Sequence, residues 1–439
     1  MSHSNSRRDF LRKAAATAAA TGLASRVTGA EEAVEDSRPV PQARVRAPLA
    51  ADDVIRIGVI GTGGMGTGHC DALTKLASAG AARVRIEALS DVCDTRWYAA
   101  KKRVDAAQGG DVAIHRDYRQ LLNIPGLHGV LIATPEHWHA RMAEDAIEAG
   151  KDLYVEKPMT LNLKDALRLQ KVVRANPDVV VVVGTQFVMT PSYQAAKDLI
   201  AKGAIGKPVW SQTSYCRNSK EGEWNYYEID PLWKPGVNLD WRMWCGPLGK
   251  VAWNPDIYAR WRRYRKYSTG IIGDLLVHHM TPVIRALDVG WPVRVSASGG
   301  HYVDKKMENH DQVNITVEFE REHTMIVAGS TCNELGIERV IRGHKGNLFV
   351  GGRTAVLRPE RIYADEVEDR EIQPPPGAEG NDQDALRLHW LDCIRTRQKS
   401  ISDVDLGTKV MVIVDLATRS LWEGAAFKFD PTRRKVRRA

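Results

Sequence analysis

The feature that most constrains this chain is a glycine turn, Gly61-Thr62-Gly63-Gly64-Met65-Gly66. It directly follows an apolar run, Val54 to Ile60, and leads into a stretch able to form a helix, His69 to Ala79. In that setting Gly61 permits a tight strand-to-helix reversal, Gly63 lets the backbone approach a diphosphate, and Gly66 lets the helix pack against the strand. The whole turn, Thr62, Gly64 and Met65 included, reads as a cradle for a dinucleotide. The diphosphate would rest on the helix N-terminus, where unpaired N–H groups and the helix dipole favour negative charge. A second strand, Val84 to Leu89, ends at Ser90-Asp91, 25 residues after Gly66. An acid there can accept hydrogen bonds from ribose hydroxyls and would repel a 2′-phosphate, which favours NAD over NADP. The plainer alternative is a loop aspartate that caps the next helix, a role for which Asp94 is better placed.

With 439 residues, 43% of them hydrophobic and 26% charged, the chain can bury two ordinary cores. No uninterrupted apolar run approaches the roughly 18 residues needed to span a bilayer. The N-terminus reads as a targeting segment outside the fold. Ser6-Arg7-Arg8-Asp9-Phe10-Leu11-Arg12-Lys13 has the twin-arginine pattern, followed by a weakly apolar stretch from Ala14 to Ala24 and small residues at Thr28-Gly29-Ala30. This predicts export by the twin-arginine machinery to the periplasm or beyond, a route that carries folded proteins with a nucleotide already loaded. Residues 1–30 hold Arg7, Arg8, Arg12, Lys13 and Arg26 against Asp9, so their removal takes four of the eight formal positive charges. Much of the remainder lies in a tail with Arg433, Arg434, Lys435, Arg437 and Arg438, read as a solvated or frayed end. Nothing argues for a nucleic-acid partner. The six cysteines are scattered singly with no C-x-x-C, which points away from a metal site and toward buried free thiols.

The expected organisation is a signal segment (1–30), a Pro-containing arm (31–50), a dinucleotide domain (51–178), a second domain (179–425) and a basic tail (426–439). Strands at Val54–Ile60, Val84–Leu89, Gly129–Ala133 and Asp152–Val155, with helices between them such as Ala140–Ala149, imply an α/β doubly wound parallel sheet. After a helix at Lys164–Ala175 the character changes. Pro208–Tyr215, Val293–Gly299, Gln312–Phe319, Thr324–Ser330, Glu338–Gly343 and Asn347–Val350 follow without alternating helices and imply an α+β domain with an open, mostly antiparallel sheet. Helices at Asp384–Arg395 and Leu406–Trp422 close the chain.

Taken together, GTGGMG, the strand end Ala133-Thr134-Pro135, the following Glu136-His137-Trp138-His139-Ala140, the tripeptide Glu156-Lys157-Pro158, and Trp390-Leu391-Asp392-Cys393-Ile394-Arg395 resemble the glucose-fructose oxidoreductase / inositol dehydrogenase / MocA (Gfo/Idh/MocA) family from about 54 to 425. The resemblance implies a Rossmann domain followed by an α/β domain whose open sheet pairs subunits into a homodimer or homotetramer. It places Thr134, Pro135, His137, Trp138, His139, Glu156 and Lys157 around the cofactor, with Lys157 reaching both the nicotinamide side and a substrate hydroxyl. An ammonium there can hydrogen-bond the alkoxide that develops as hydride leaves.

The family's second catalytic cluster, Asp-x-Gly-x-His after a glycine turn, corresponds to Asp274 through His278. Spaced i and i+4, these two would share a helix face, with His278 taking the hydroxyl proton and Asp274 assisting. Leu276 stands where the pattern has glycine, and Thr281 where many members have a second aspartate, so the pocket departs from the pattern. The plainer alternative is a capping aspartate and a packed histidine; His279 reads as structural. Seven tryptophans between 210 and 261 suit sugar C–H faces, although most such residues fill loop cores. Tyr193, Arg217 and Tyr267 are the candidate substrate contacts.

The leading expectation is therefore an exported oxidoreductase that moves hydride between tightly held NAD(H) and a secondary alcohol of a sugar, sugar acid or polyol. A close rival uses the same residues for NAD-dependent glycoside hydrolysis by oxidation, elimination, hydration and reduction. A third reading, of another class, is a non-catalytic sugar sensor or scaffold.

Overall fold

The computed structural model describes residues 32–33, 38–44, 49–50, 52–378 and 380–439; the expected signal segment lies outside the described residues. The N-terminal domain is a six-stranded parallel sheet of β1 (Ile55–Ile60), β2 (Val84–Ser90), β3 (Ala113–His115), β4 (Gly129–Ile132), β5 (Asp152–Val155) and β6 (Val181–Val183). Their spatial order is β3-β2-β1-β4-β5-β6. The central strands are apolar because helices cover both faces: β4, β5 and β6 are buried at every residue. Chain order reverses direction between β1 and β4, and the crevice outside their carboxyl ends is where this topology places a ligand. β6 corrects the expected boundary: the run Val179–Val183 belongs to the first sheet, so the dinucleotide domain extends past residue 178.

The C-terminal domain is built on a larger sheet. Its strands are β7 (Pro208–Cys216), β8 (Pro292–Gly300), β9 (Gln312–Phe319), β10 (His323–Ser330), β11 (Val340–Gly343), β12 (Gly346–Phe349), β13 (Ala355–Pro359), β14 (Arg370–Ile372), β15 (Phe427–Asp430) and β16 (Lys435–Arg438). Counting the short strand Glu32–Ala33, eleven strands run in the order Glu32–Ala33, β16-β15-β8-β9-β10-β7-β11-β12-β13-β14. Among the described pairings of this sheet only β10 with β7 is parallel. β9 alternates buried with exposed or half-buried residues, as a sheet covered on one face requires. The helix Val404–Glu423 lies against β8.

One further expectation is corrected here. The supposed basic tail is the β15–β16 hairpin, and Phe427, Phe429 and Val436 are buried beneath its charged residues. The 31–50 arm is also docked where it is described: Arg168 donates to the Arg38 and Pro39 carbonyls, and the Ala43 amide donates to Asn176. All six cysteines are unpaired, with Cys70, Cys93, Cys245 and Cys393 buried.

Candidate active site

The glycine turn closes at the carboxyl end of β1. Gly61 has φ +88°, and a Cβ there would come within 2.9 Å of the Ala133 and Thr134 backbone. A Cβ on Gly66 would stand 1.8 Å from the Gly61 carbonyl oxygen, so the close helix–strand approach excludes any larger residue. The helix that follows, α1 (Gly64–Ser78), has no side-chain N-cap and no acidic residue in its first turn. Its orphan N–H groups are therefore left to an anion, and Gly63, Gly64, Met65 and Thr67 line a cleft of about 880 Å³ that contains this turn. The donor set fits a dinucleotide diphosphate.

Asp91 lines the same cleft, but its carboxylate also organises the turn. Oδ2 accepts the Thr62 amide at 2.7 Å and Oδ1 accepts the Cys93 amide at 2.9 Å. Burial raises its pKa, against the pull of the nearby Arg96 cation. Thr134, Pro135, Trp138, Glu156 and Lys157 also line the cleft. His137 and His139, expected around the cofactor, do not. A His137 nitrogen meets the Trp244 carbonyl at 2.8 Å, and His139 spans the Pro158 and Thr134 carbonyls at 2.7 and 2.8 Å. Both rings are buried and serve to join segments.

At the far end of the cleft stands Lys157. Its ammonium donates to the Asp274 carbonyl at 2.8 Å and to Asp274 Oδ1 at 2.9 Å, with both side chains 8% exposed. Arg262 Nε donates to the same Oδ1 at 2.9 Å. Burial alone would raise the Asp274 carboxyl; Arg262 and Lys157 overcome it and hold the pKa well below the usual carboxylate range. The expected i, i+4 face is not a plain α-helix. Ile272–Leu276 is a π-helical turn that runs into the α-helix Val277–Leu287, and Lys157 reaches the carbonyl of Asp274 within it. Gly273 lies against Pro158, 3.2 Å from where its Cβ would be, so the turn packs directly on the lysine's loop. His278 sits behind this pair and is not part of the cleft wall. Burial, reinforced by Lys157, lowers its pKa to about 3, so its ring is neutral.

A buried relay that the motifs did not reveal fixes Lys157 from the other side. Arg387 Nε donates to His69 Nδ1 at 2.9 Å, which leaves His69 Nε2–H to donate to Glu156 Oε1 at 2.8 Å. Glu156 Oε2 accepts the Lys157 amide at 3.1 Å. Burial would raise the Glu156 pKa, but the His69 hydrogen bond and the neighbouring charges bring it down to about 2. Arg262, His69 and Arg387 carry no local motif.

Of the three expected substrate contacts, none lines the cleft. Tyr193 is 1% exposed in the main core, and Tyr267 packs edge-on against His137. Arg217 is held by Glu223 at 3.0 Å and by the Tyr215 hydroxyl at 2.6 Å. The wall facing the glycine turn comes instead from residues 227–262. Tyr227, Trp233, Trp244, Tyr258, Trp261 and Arg262 roof the cleft. This strap is tied to the loop after β2 by an antiparallel bridge between Cys93 and Leu239, with Asp94 N donating to Asn238 O at 2.8 Å and Asp240 N to Val92 O at 2.9 Å. Beneath it the Arg96 guanidinium lies 5.3 Å from the Trp233 ring and 4.8 Å from the Tyr258 ring.

Comparison with known proteins agrees with this architecture. Residues 55–185 match a Gfo/Idh/MocA model described as "Oxidoreductase family, NAD-binding Rossmann fold", and residues 197–429 match the companion "Oxidoreductase family, C-terminal alpha/beta domain". An inositol 2-dehydrogenase of Saccharopolyspora erythraea is 36% identical over 155 residues, which cover 35% of this chain and 44% of that protein. A scyllo-inositol 2-dehydrogenase (NAD⁺) of Bacillus subtilis is 25% identical over 326 residues, 72% of this chain and 82% of that one. The structure of a levoglucosan dehydrogenase with NADH and levoglucosan superposes with a TM-score of 0.65 at 21% identity, covering 85% of this chain and 98% of that one. That likeness shows the fold.

Proposed function

The chain belongs to the Gfo/Idh/MocA oxidoreductase family, and on that footing we propose that it is an NAD(H)-dependent dehydrogenase of a secondary alcohol in a sugar, sugar acid or polyol. The observation that carries the reading is Lys157, which lines the nucleotide cleft with its ammonium fixed by Asp274 and its backbone by Glu156. The cofactor, when bound, supplies the hydride acceptor. Lys157 is the group that hydrogen-bonds the substrate hydroxyl and stabilises the alkoxide as negative charge grows on it. Asp274, kept ionised, accepts from that ammonium and aims it. His278, the expected proton acceptor, is neutral, but its pKa of about 3 and its place outside the cleft wall make it a poor base for the hydroxyl proton as the site stands. The names of the inositol dehydrogenase relatives support a polyhydroxylated ring as substrate.

We further infer that the protein is exported by the twin-arginine route with its nucleotide already bound. The Ser6–Lys13 pattern supports the route, and the roof over the cleft supports a tightly held cofactor. Assembly as a homodimer or homotetramer through the exposed face of the C-terminal sheet belongs to the same reading. One experiment tests the main claims together. Protein expressed with its own N-terminus is recovered from the periplasmic fraction, denatured, and assayed for released nucleotide, then incubated natively with sugars and glycosides. Stoichiometric NAD(H) and a new carbonyl product are expected, and Lys157→Met should keep the nucleotide and lose the product. Protein found only in the cytoplasm overturns export, and protein that binds no nucleotide overturns the enzyme. Glycoside cleavage without net NADH would assign the hydrolytic rival instead.

A further inference from the structure

Arg262 belongs to none of the motifs, yet the strap delivers it onto the carboxylate that holds Lys157. Only its Nε is used, on Asp274 Oδ1; its two terminal nitrogens meet no acceptor among the described residues. The guanidinium lies 4.2 Å from the Trp261 ring centre, and both residues line the cleft with Lys157. Two cations, Lys157 and Arg262, share a single oxygen of one carboxylate. Glu156, held ionised, faces Lys157 from the other side, and Glu136, pushed up to about 7 by burial, is a further acid within reach of Arg262. A largely buried guanidinium whose terminal N–H groups lack an acceptor loses free energy that a ligand oxygen would recover. A guanidinium with two free N–H donors matches a planar carboxylate in a bidentate fork, which a lysine cannot do.

We propose that Arg262 is the specificity-determining residue of this site and binds the carboxylate of a sugar acid, a hexuronate or aldonate, beside Lys157. The proposal rests on the dehydrogenase reading and narrows it from polyols in general to acidic sugars. The cofactor's diphosphate is the other anion the cleft could take. The glycine turn, however, has its own arginine: a Cβ on Gly63 would stand 2.7 Å from Arg96 Nη1, whereas Arg262 is committed to Asp274 at the lysine end.

The test uses the protein loaded with NADH and follows the fluorescence of the bound nucleotide while D-glucuronate, D-gluconate, D-glucose or myo-inositol is titrated in. The acids are expected to bind about tenfold tighter than the neutral compounds. Arg262→Met should abolish that preference, Arg262→Lys should retain part of it, and both variants should bind NADH within about threefold of the wild type. Equal binding of acids and neutral sugars by the wild-type protein overturns the proposal without needing any variant to fold. So does a preference that survives in Arg262→Met, or a loss of NADH affinity with the preference intact, which would assign Arg262 to the diphosphate. If no sugar of either kind binds, the dehydrogenase reading itself fails.

Discussion

Glu136 shows how much a single buried group can demand. It opens the helix Glu136–Glu148 at 1% exposure, accepting the Ser268 hydroxyl on one oxygen and the Thr269 amide and hydroxyl on the other. Burial lifts its pKa from 4.5 to about 7, with those hydrogen bonds pulling the other way. Because the folded value lies above the unfolded one, the fold favours the neutral acid. The site costs nothing below pH 4.5, loses stability as pH climbs toward 7, and carries the full penalty above that. Glu136→Gln keeps the shape and removes the charge. Its melting temperature relative to wild type should therefore rise by about 2–4 °C between pH 5 and pH 8. Thermal melts at the two values decide it, since a difference that does not change with pH would mean that Glu136 is ionised normally. The sequence made Lys157 and Asp274 legible because each sits in a local pattern. Glu136 stands in a motif, but its partners Ser268 and Thr269 lie more than 130 residues away, and Arg262 and His69 act through a strap with no repeat or a distant carboxylate, so their neighbours do not announce these contacts.

Elements were legible where local chemistry is repetitive. The strand–turn–helix of the glycine motif, β2 and the aspartate that follows it, and the alternation along β9 follow from side-chain pattern alone. The π-turn at Ile272–Leu276 did not, because an α-period fits its residues equally well and only packing against Lys157 and Pro158 separates the two. The strap is the other element that sequence left open. On sequence grounds its tryptophans suit either sugar faces or a loop core, and Trp241 and Trp244 take the second role, stacking at 4.7 Å and packing with Leu239, Tyr258 and Cys93 in a separate apolar cluster. Part of the aromatic richness therefore builds a lid-side core over the nucleotide, and the stacking of Arg96 on Trp233 and Tyr258 is the contact that links lid to turn. A cation–π contact of this kind contributes about 1–2 kcal/mol when desolvated. Trp233→Ala should thus speed NADH release about tenfold, measured by displacement with excess NAD⁺ in a stopped-flow instrument, with little change in melting temperature. An unchanged release rate would mean that the strap does not retain the nucleotide.

Across the whole molecule the two domains are folded into one another. The helix Asp382–Thr396 follows the C-terminal strands in sequence, yet Leu386, Trp390, Leu391, Cys393 and Ile394 complete the apolar core of the first domain with Ile55, Val59 and Tyr154. Trp390 is fully buried, its ring 5.7 Å from that of Tyr154 on β5. From the same helix Arg387 starts the relay through His69 and Glu156 to Lys157. The sequence motif marked this helix, but its destination depends on a contact across more than 200 residues of chain that no local pattern encodes. The dinucleotide domain therefore lacks part of its core until the last third of the chain is in place, and the nucleotide site and the C-terminal helix should unfold together. Trp390→Ala removes a large side chain from a well-packed core and is expected to cost about 3–5 kcal/mol. In urea, the midpoint for loss of bound-NADH fluorescence and the midpoint for loss of helical circular dichroism should shift down together. If the nucleotide site kept its wild-type midpoint while only the circular dichroism moved, the first domain would be stable by itself and the shared core would contribute nothing to holding the cofactor.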